Sequence, residues 1–234
     1  MTGRFSAKTV LVTGGTGGLG RAVTLAFLEE EANVIVTYRK QEEFDALKRT
    51  SKLEGYPTDV TDERSVRELV ENILARHGQL DALVNKVGGY AGGIKFWEAD
   101  AKIFDQMLAV NLWSGYTLCR AVVPAMLRQK HGSIVNIASK AGLDHPGGAA
   151  AYAASKAAAV AMVDSLATDL KGTGVRANSI LPSIIDTAVN RRAIPQADFA
   201  QWPRPEQIAR VILFLCSDDA TVIHGAAIPV YGDT

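Results

Sequence analysis

"KTVLVTGGTGGLGRA" occupies residues 8–22, and its reading decides the architecture of the whole chain. The β-branched run reads as a strand over 8–14, and the residues from Gly18 onward read as a helix over 18–30. Gly14, Gly18 and Gly20 permit a tight turn between them and let the backbone approach a ligand closely. The exposed N–H groups and positive end of such a helix favour an anion such as a pyrophosphate. A glycine turn alone is common. With a strand before it and a helix after it, the turn sits where a dinucleotide site requires it.

The alternation continues outward from this unit. Strands are expected at 33–38, 52–57, 80–88, 132–139, 174–182 and 225–232. Helices are expected from about Glu42, over 61–78, about 101–129, about 150–171 and 204–217, with an irregular or partly helical insertion at 183–203. Strands that alternate with helices imply βαβ units and a parallel sheet covered on both faces, joined by right-handed crossovers. The predicted fold class is α/β: one doubly wound, Rossmann-type domain over 1–234 with a seven-stranded parallel sheet.

Composition agrees with that size and class. The chain has 234 residues, 47% hydrophobic and 21% charged, enough for one sizeable core. Its 25 basic and 25 acidic side chains cancel, so neither a nucleic-acid footprint nor a polybasic membrane patch is expected. No apolar run approaches ~20 residues, so no membrane span is expected, and the N-terminal stretch has no apolar run suited to a signal peptide. Cys119 and Cys216 lie far apart in apolar contexts and fit reduced thiols. The expectation is a soluble cytoplasmic protein.

A second stretch, "AYAASKAAA" at 151–159, carries the chemistry. Alanine favours helix, and residues four apart share a helix face, so Tyr152 and Lys156 project together. Taken alone, the pair is equally compatible with an ordinary surface helix. A phenol titrates near about 10, too high for a good base at neutral pH. A nearby ammonium favours the phenolate, and the sequence therefore predicts a lowered pKa for Tyr152, suited to acid–base work.

In order along the chain stand Thr13-Gly14-x-x-x-Gly18-x-Gly20, Asp59-Val60, Asn85 with Gly88, Asn111, Ser139, Tyr152-x-x-x-Lys156, and Pro182 with Thr187. This series resembles the short-chain dehydrogenase/reductase family over nearly the whole chain. The resemblance implies hydride transfer between a nicotinamide cofactor and a carbonyl or secondary alcohol. It assigns the catalytic roles to Asn111, Ser139, Tyr152 and Lys156. Tyr152 would exchange the proton, Ser139 would hydrogen-bond the substrate oxygen, Lys156 would also grip the nicotinamide ribose, and Asn111 would hold a water in a proton relay. The implied cofactor-binding set is Gly14, Thr16, Gly17, Gly18, Leu19, Gly20, Arg39, Asp59, Val60, Asn85, Val87, Gly88, Tyr152, Lys156, Pro182, Ile185 and Thr187. No metal is expected. Ser139 alone also reads as a helix cap or turn former, and Asn111 alone as part of a buried polar network. Only the joint pattern raises them to catalytic candidates.

Two segments depart from the family pattern. "NKVG" at 85–88 replaces Asn-Asn-Ala-Gly, which puts Lys86 near the expected cleft, either solvated or touching cofactor or substrate. Ser183 replaces a usual glycine. At the end of the second strand, "VTYRK" (36–40) has no acid at Tyr38 and a guanidinium at Arg39. Arginine suits a phosphate, whereas an acid there would favour NAD. NADP(H) is therefore favoured, with NAD(H) as the alternative, because Gly17 stands where many NADP-dependent relatives carry a second basic residue. An exposed loop charge is the plainer reading of Arg39.

The resemblance implies a substrate lid over about 183–203, whose Arg191 and Arg192 read either as contacts for an acidic substrate or as solvated charges. Further walls are implied at 88–97, with Tyr90, Phe96 and Trp97, and at 143–148, with His145. It also implies a small-molecule carbonyl or alcohol partner, of which a 3-oxoacyl, sugar or small ketone is an example, and a homodimer or homotetramer. The competing class is a dinucleotide-binding sensor or scaffold without turnover. Retention of all four catalytic-type residues argues against that class, and their spacing argues against enoyl reduction.

Overall fold

Val10 and Val12 face one side of the first strand and Leu11 faces the other, because side chains alternate across a strand. All three are fully buried, and they enter two different cores. A strand apolar on both faces belongs inside a sheet with helices on each side. The structure, a computed structural model, describes residues 3–47 and 50–234.

Its strands are β1 (Thr9–Thr13), β2 (Asn33–Thr37), β3 (Leu53–Tyr56), β4 (Ala82–Asn85), β5 (Gly132–Ile137), β6 (Val175–Pro182) and β7 (Ala227–Val230). They form one seven-stranded sheet in the order β3-β2-β1-β4-β5-β6-β7, with every neighbouring pair parallel. The fold is the predicted Rossmann-type sheet. Its helices are α1 (Gly18–Glu29), α2 (Gln41–Asp45), α3 (Glu63–His77), α4 (Ala101–Leu108), α5 (Ser114–Gln129), α6 (Ala141–Asp144), α7 (Ala150–Asp169), α8 (Ala188–Ala193) and α9 (Pro205–Cys216). Val23 and Phe27 of α1 and Ile208 and Ile212 of α9 cover Val10, Val12 and Val36 on one face. On the other, α3, α5 and α7 bring Ile73, Leu118, Val122 and Val163 onto Leu11, Ile35 and Leu83.

The expected helix over 101–129 is broken in its middle by a π-helical segment, Ala109–Trp113. The Ser114 and Thr117 hydroxyls donate back to the Val110 and Trp113 carbonyls at 2.8 and 2.9 Å, which competes with the regular ladder. Asn111 lies inside this widened turn, the kind of bulge that recurs at functional sites. The charged helix expected from about Glu42 is the short α2. The 183–203 insertion contains α8 and a 3-10 turn at Phe199–Gln201, and α6 and a 3-10 turn at Phe96–Glu98 were not foreseen.

β1 pairs with β2 on one side and β4 on the other, so the connections leave in opposite directions at this point. The sheet therefore opens a crevice beyond the ends of β1 and β4, where ligands bind in such sheets. Gly14 follows β1 and Lys86 follows β4. Among the described residues no helix is long and apolar enough to cross a membrane.

Candidate active site

Thr13 closes β1 and organises the crevice. Its hydroxyl donates to Asn85 Oδ1 at 3.2 Å and accepts from the Lys86 and Val87 N–H groups at 3.1 and 3.3 Å. Asn85 Nδ2 donates to Asn136 Oδ1 at 2.9 Å. Asn85 is thus a buried brace across β1, β4 and β5, and its side chain does not line the crevice. Gly14 turns through φ +62° and donates to the Thr37 hydroxyl at 2.9 Å. A Cβ on Gly20 would collide with the Gly14 carbonyl, which is why the loop can double back on the helix only with glycine there.

Helix α1 begins at Gly18 with no side chain capping its first turn. Its leading N–H groups are open to an anion at the positive end of the helix dipole. This cradle fits the diphosphate of a dinucleotide. Thr187 packs its methyl group against Gly18 and caps α8 by accepting from Asn190 N at 3.2 Å.

Two hollows adjoin here. A cleft of about 490 Å³ is lined by Gly14, Thr16, Gly17, Arg39, Val60, Val87 and Gly88 among others. A smaller hollow of about 210 Å³ is lined by Leu19, Gly88, Ser139, Tyr152, Lys156, Pro182 and Ile185. Most of the predicted cofactor set therefore falls on one continuous wall. Asp59 does not: the Thr61 N–H and hydroxyl hold its carboxylate at 2.9 and 2.7 Å and, with Arg39, keep its pKa low.

Ser139, Tyr152 and Lys156 meet because α7, packed against α6, β6, α4 and the π-helical turn, brings Lys156 to the last residue of β5. Ala151, Ala153, Ser155 and Ala159 are buried on α7, small residues that permit close packing. Lys156, only 5% exposed, donates from Nζ to the Ile137 carbonyl at 2.8 Å. Asn111 clamps the Gly89 backbone, accepting from its N–H at 2.9 Å and donating to its carbonyl at 3.1 Å, and also donates to the Ser155 hydroxyl at 3.0 Å.

The expected lowering of the Tyr152 pKa does not occur in this structure. Burial pushes the phenol above its usual value; the Ser139 hydroxyl opposes the shift and Tyr90 adds to it. Lys156 does not offset this, and its own amine is depressed. Burial, with the nearby Lys86 charge, lowers it to about 8. Desolvation disfavours the charged form of each group, so it raises one pKa and lowers the other.

Other expectations fall away from the hollow. Phe96 and Trp97 are 74% and 77% exposed, and Phe96 lines a separate 310 Å³ cavity with Ile94, Phe104 and Ala149. Tyr90 does reach the site and meets the Tyr152 ring edge-on at 4.9 Å. Arg191 is spent on both carboxylate oxygens of Asp186, so it is not free for an acidic substrate. Ser183 donates to the Tyr231 carbonyl at 2.6 Å, which gives the departure from glycine a structural use. Sequence reasoning missed Glu43, whose carboxylate accepts from the Thr16 hydroxyl at 3.0 Å on the cleft wall. It lies on a charged helix with no local signal of its aim. Among the described residues no three His, Cys, Asp or Glu gather to hold a metal.

This arrangement can be set beside known proteins. The model of the family described as short chain dehydrogenase matches residues 8–198. The chain belongs to that family. Among curated short chain dehydrogenases and their kin, it is 33% identical to the 3-oxoacyl-[acyl-carrier-protein] reductase FabG of Thermotoga maritima, over 98% of each chain. It is 35% identical to the L-fucose dehydrogenase of Mus musculus, over 98% of this chain and 89% of that one. A solved structure described as ElxO with NADP bound superposes with a TM-score of 0.90 at 28% identity, covering 96% of this chain and 97% of that one. As a short chain dehydrogenase, the protein is an NAD(P)-dependent oxidoreductase acting between carbonyl and alcohol groups.

The lysine shift has a consequence for stability. Lys156 titrates near 8 when folded and near about 10.4 when unfolded. Between those values the unfolded chain holds a proton that the folded chain has released, so this group favours folding increasingly as pH rises. The Cys119 and Cys216 thiols, pushed up to about 12 by burial, act in the opposite sense above their unfolded values. Comparison with Lys156→Met, which retains both thiols, isolates the lysine. In urea unfolding of the cofactor-free proteins, raising the pH from neutral to above the unfolded lysine value should shift the wild-type-minus-variant difference by about 3 kcal/mol toward wild type. A pH-independent difference contradicts the burial argument.

Proposed function

We propose that the protein is a carbonyl reductase with NADP(H) as its preferred cofactor and Tyr152 as its proton donor. The carrying observation is that the Tyr152, Ser139 and Lys156 side chains line one 210 Å³ hollow. A nicotinamide held there by these walls would supply hydride chemistry at a carbonyl carbon. The raised pKa keeps Tyr152 protonated at neutral pH, ready to pass its proton to the substrate oxygen. The Ser139 hydroxyl hydrogen-bonds the same oxygen and stabilises the charge that develops on it. Lys156 holds the nicotinamide ribose and, with a water held by Asn111, returns a proton to the tyrosine. Leu19, Gly88, Pro182 and Ile185 wall the nicotinamide half. Thr187, at the foot of α1, helps hold its carboxamide. Residues 183–203 form a lid, consistent with Pro182 and Ile185 lying on the hollow's rim.

Arg39 supports the NADP(H) preference: it is exposed at the adenosine end of the cleft, and no acid follows β2 at Tyr38. Glu43 on the same wall opposes a 2′-phosphate, which leaves room for NAD(H) as second cofactor. A homodimer or homotetramer built on the α4–α5 and α7 helices fits the exposed Trp113–Tyr116 pair, whose rings meet at 5.5 Å.

Tyr152→Phe should cut turnover of carbonyl substrates by about 100-fold or more while leaving the dissociation constant for NADPH unchanged; retained turnover refutes the assignment. Arg39→Ala should lower kcat/KM for NADPH by about tenfold and leave NADH little changed, and an unaltered cofactor preference removes Arg39 from the site. Light scattering should return the mass of two or four chains, and a monomer at every concentration contradicts the assembly.

A further inference from the structure

Lys86 stands where the two hollows join. Its side chain lines both the cleft that holds Arg39 and Val60 and the hollow that holds Ser139 and Tyr152. From the end of β4 it runs along the glycine loop. Its Cδ lies 3.5 Å from where a Cβ of Gly14 would stand, and its Nζ 3.7 Å from that point at Gly17. The ammonium thus sits beside the uncapped first turn of α1.

Among the described residues no carboxylate forms a salt bridge with it. Among the described residues the opposite charge that acts on it is Glu43, and that carboxylate is already taken by the Thr16 hydroxyl and by Lys40 at 3.7 Å. The ammonium is largely desolvated, which lowers its pKa, and its charge acts in turn on Lys156. Two cations and a helix N-terminus therefore converge on a junction where the opposing carboxylate of Glu43 is shared with Thr16 and Lys40. Such a convergence is unfavourable by itself and is relieved by a bound anion.

We propose that Lys86 is a direct ligand of the dinucleotide's diphosphate, a contact made by the Asn-Lys-Val-Gly segment where the family pattern has Asn-Asn-Ala-Gly. The inference rests on the dinucleotide reading above. A ligand with its adenosine beside Arg39 and its nicotinamide beside Tyr152 must carry the linking diphosphate past this junction. There the N–H groups of α1 meet it from one side and the Lys86 ammonium from the other. Asparagine at this position is neutral and shorter, and cannot place a positive charge at Gly17.

Calorimetric binding of ADP-ribose and of adenosine tests this without any turnover. Lys86→Asn should weaken ADP-ribose binding about tenfold or more and flatten its salt dependence. Adenosine binding should not change, and Lys86→Arg should retain most of the affinity. Lys86→Gln provides a second neutral variant, with circular dichroism confirming that each protein is folded. Equal ADP-ribose affinity in folded neutral variants overturns the role of Lys86 alone, as does an equal loss for adenosine. If wild type binds neither NADPH nor ADP-ribose, the dinucleotide reading itself falls.

Discussion

A hydrogen bond from the Lys156 amine to the Ile137 carbonyl, 2.8 Å long and between two buried residues, ties helix α7 to the end of β5. The rest of the site depends on that contact. Ile137 is the last residue of its strand, and the chain reaches Ser139 two residues later, so whatever fixes Lys156 on β5 also fixes Tyr152, one helical turn earlier, beside that serine. The buried alanines Ala151, Ala153 and Ala159 let α7 pack closely on its neighbours. On its other side, a Cβ on Gly142 would press within 3.0 Å of the Lys156 carbonyl carbon, so α6 also depends on the tight seating.

The same seating determines the electrostatics. Drawing a phenol and an amine out of water penalises the charged form of each. An ammonium close to a phenol in water would lower the phenol's pKa, and that reasoning follows naturally from a Tyr-x-x-x-Lys pair on a helix. In the folded protein the amine is aimed at a carbonyl and has itself been pushed down to about 8, so desolvation of the phenol outweighs any help it receives. The protein without cofactor is therefore poised with a protonated tyrosine, the form a reductase needs. Lys86 adds a second, largely desolvated ammonium beside the glycine loop, with Glu43 as the opposing charge on the cleft wall.

Much of this was legible in the sequence, for identifiable reasons. The strands that carry both cores are short β-branched runs whose two faces are equally apolar, and this pattern points to a covered parallel sheet. The glycine loop was legible because a Cβ on Gly20 would collide with the Gly14 carbonyl and Gly14 takes the left-handed φ that glycine adopts most readily. What escaped was decided by side-chain contacts, some local and some across the fold. The π-helical turn at Asn111 depends on hydroxyls bonding back to their own helix and on a loop from β4 arriving at the right height. Asp59 was drawn into a local turn with Thr61, and Arg191 was claimed by Asp186; neither pairing leaves a mark in a motif. Lys86 was visible as a departure, but its burial against the glycine loop depends on where β4 ends relative to β1, which only the assembled sheet reveals.

Titration of the two groups by NMR, in cofactor-free protein labelled at tyrosine Cζ and lysine Cε, measures the central claim directly. The resonances are assigned by their loss in Tyr152→Phe and Lys156→Met. If burial governs the site, the Lys156 amine should titrate near 8 while the Tyr152 phenol stays protonated beyond the usual phenol value of about 10. A phenol that ionises well below that value, beside a lysine that keeps its ordinary pKa, would contradict the account.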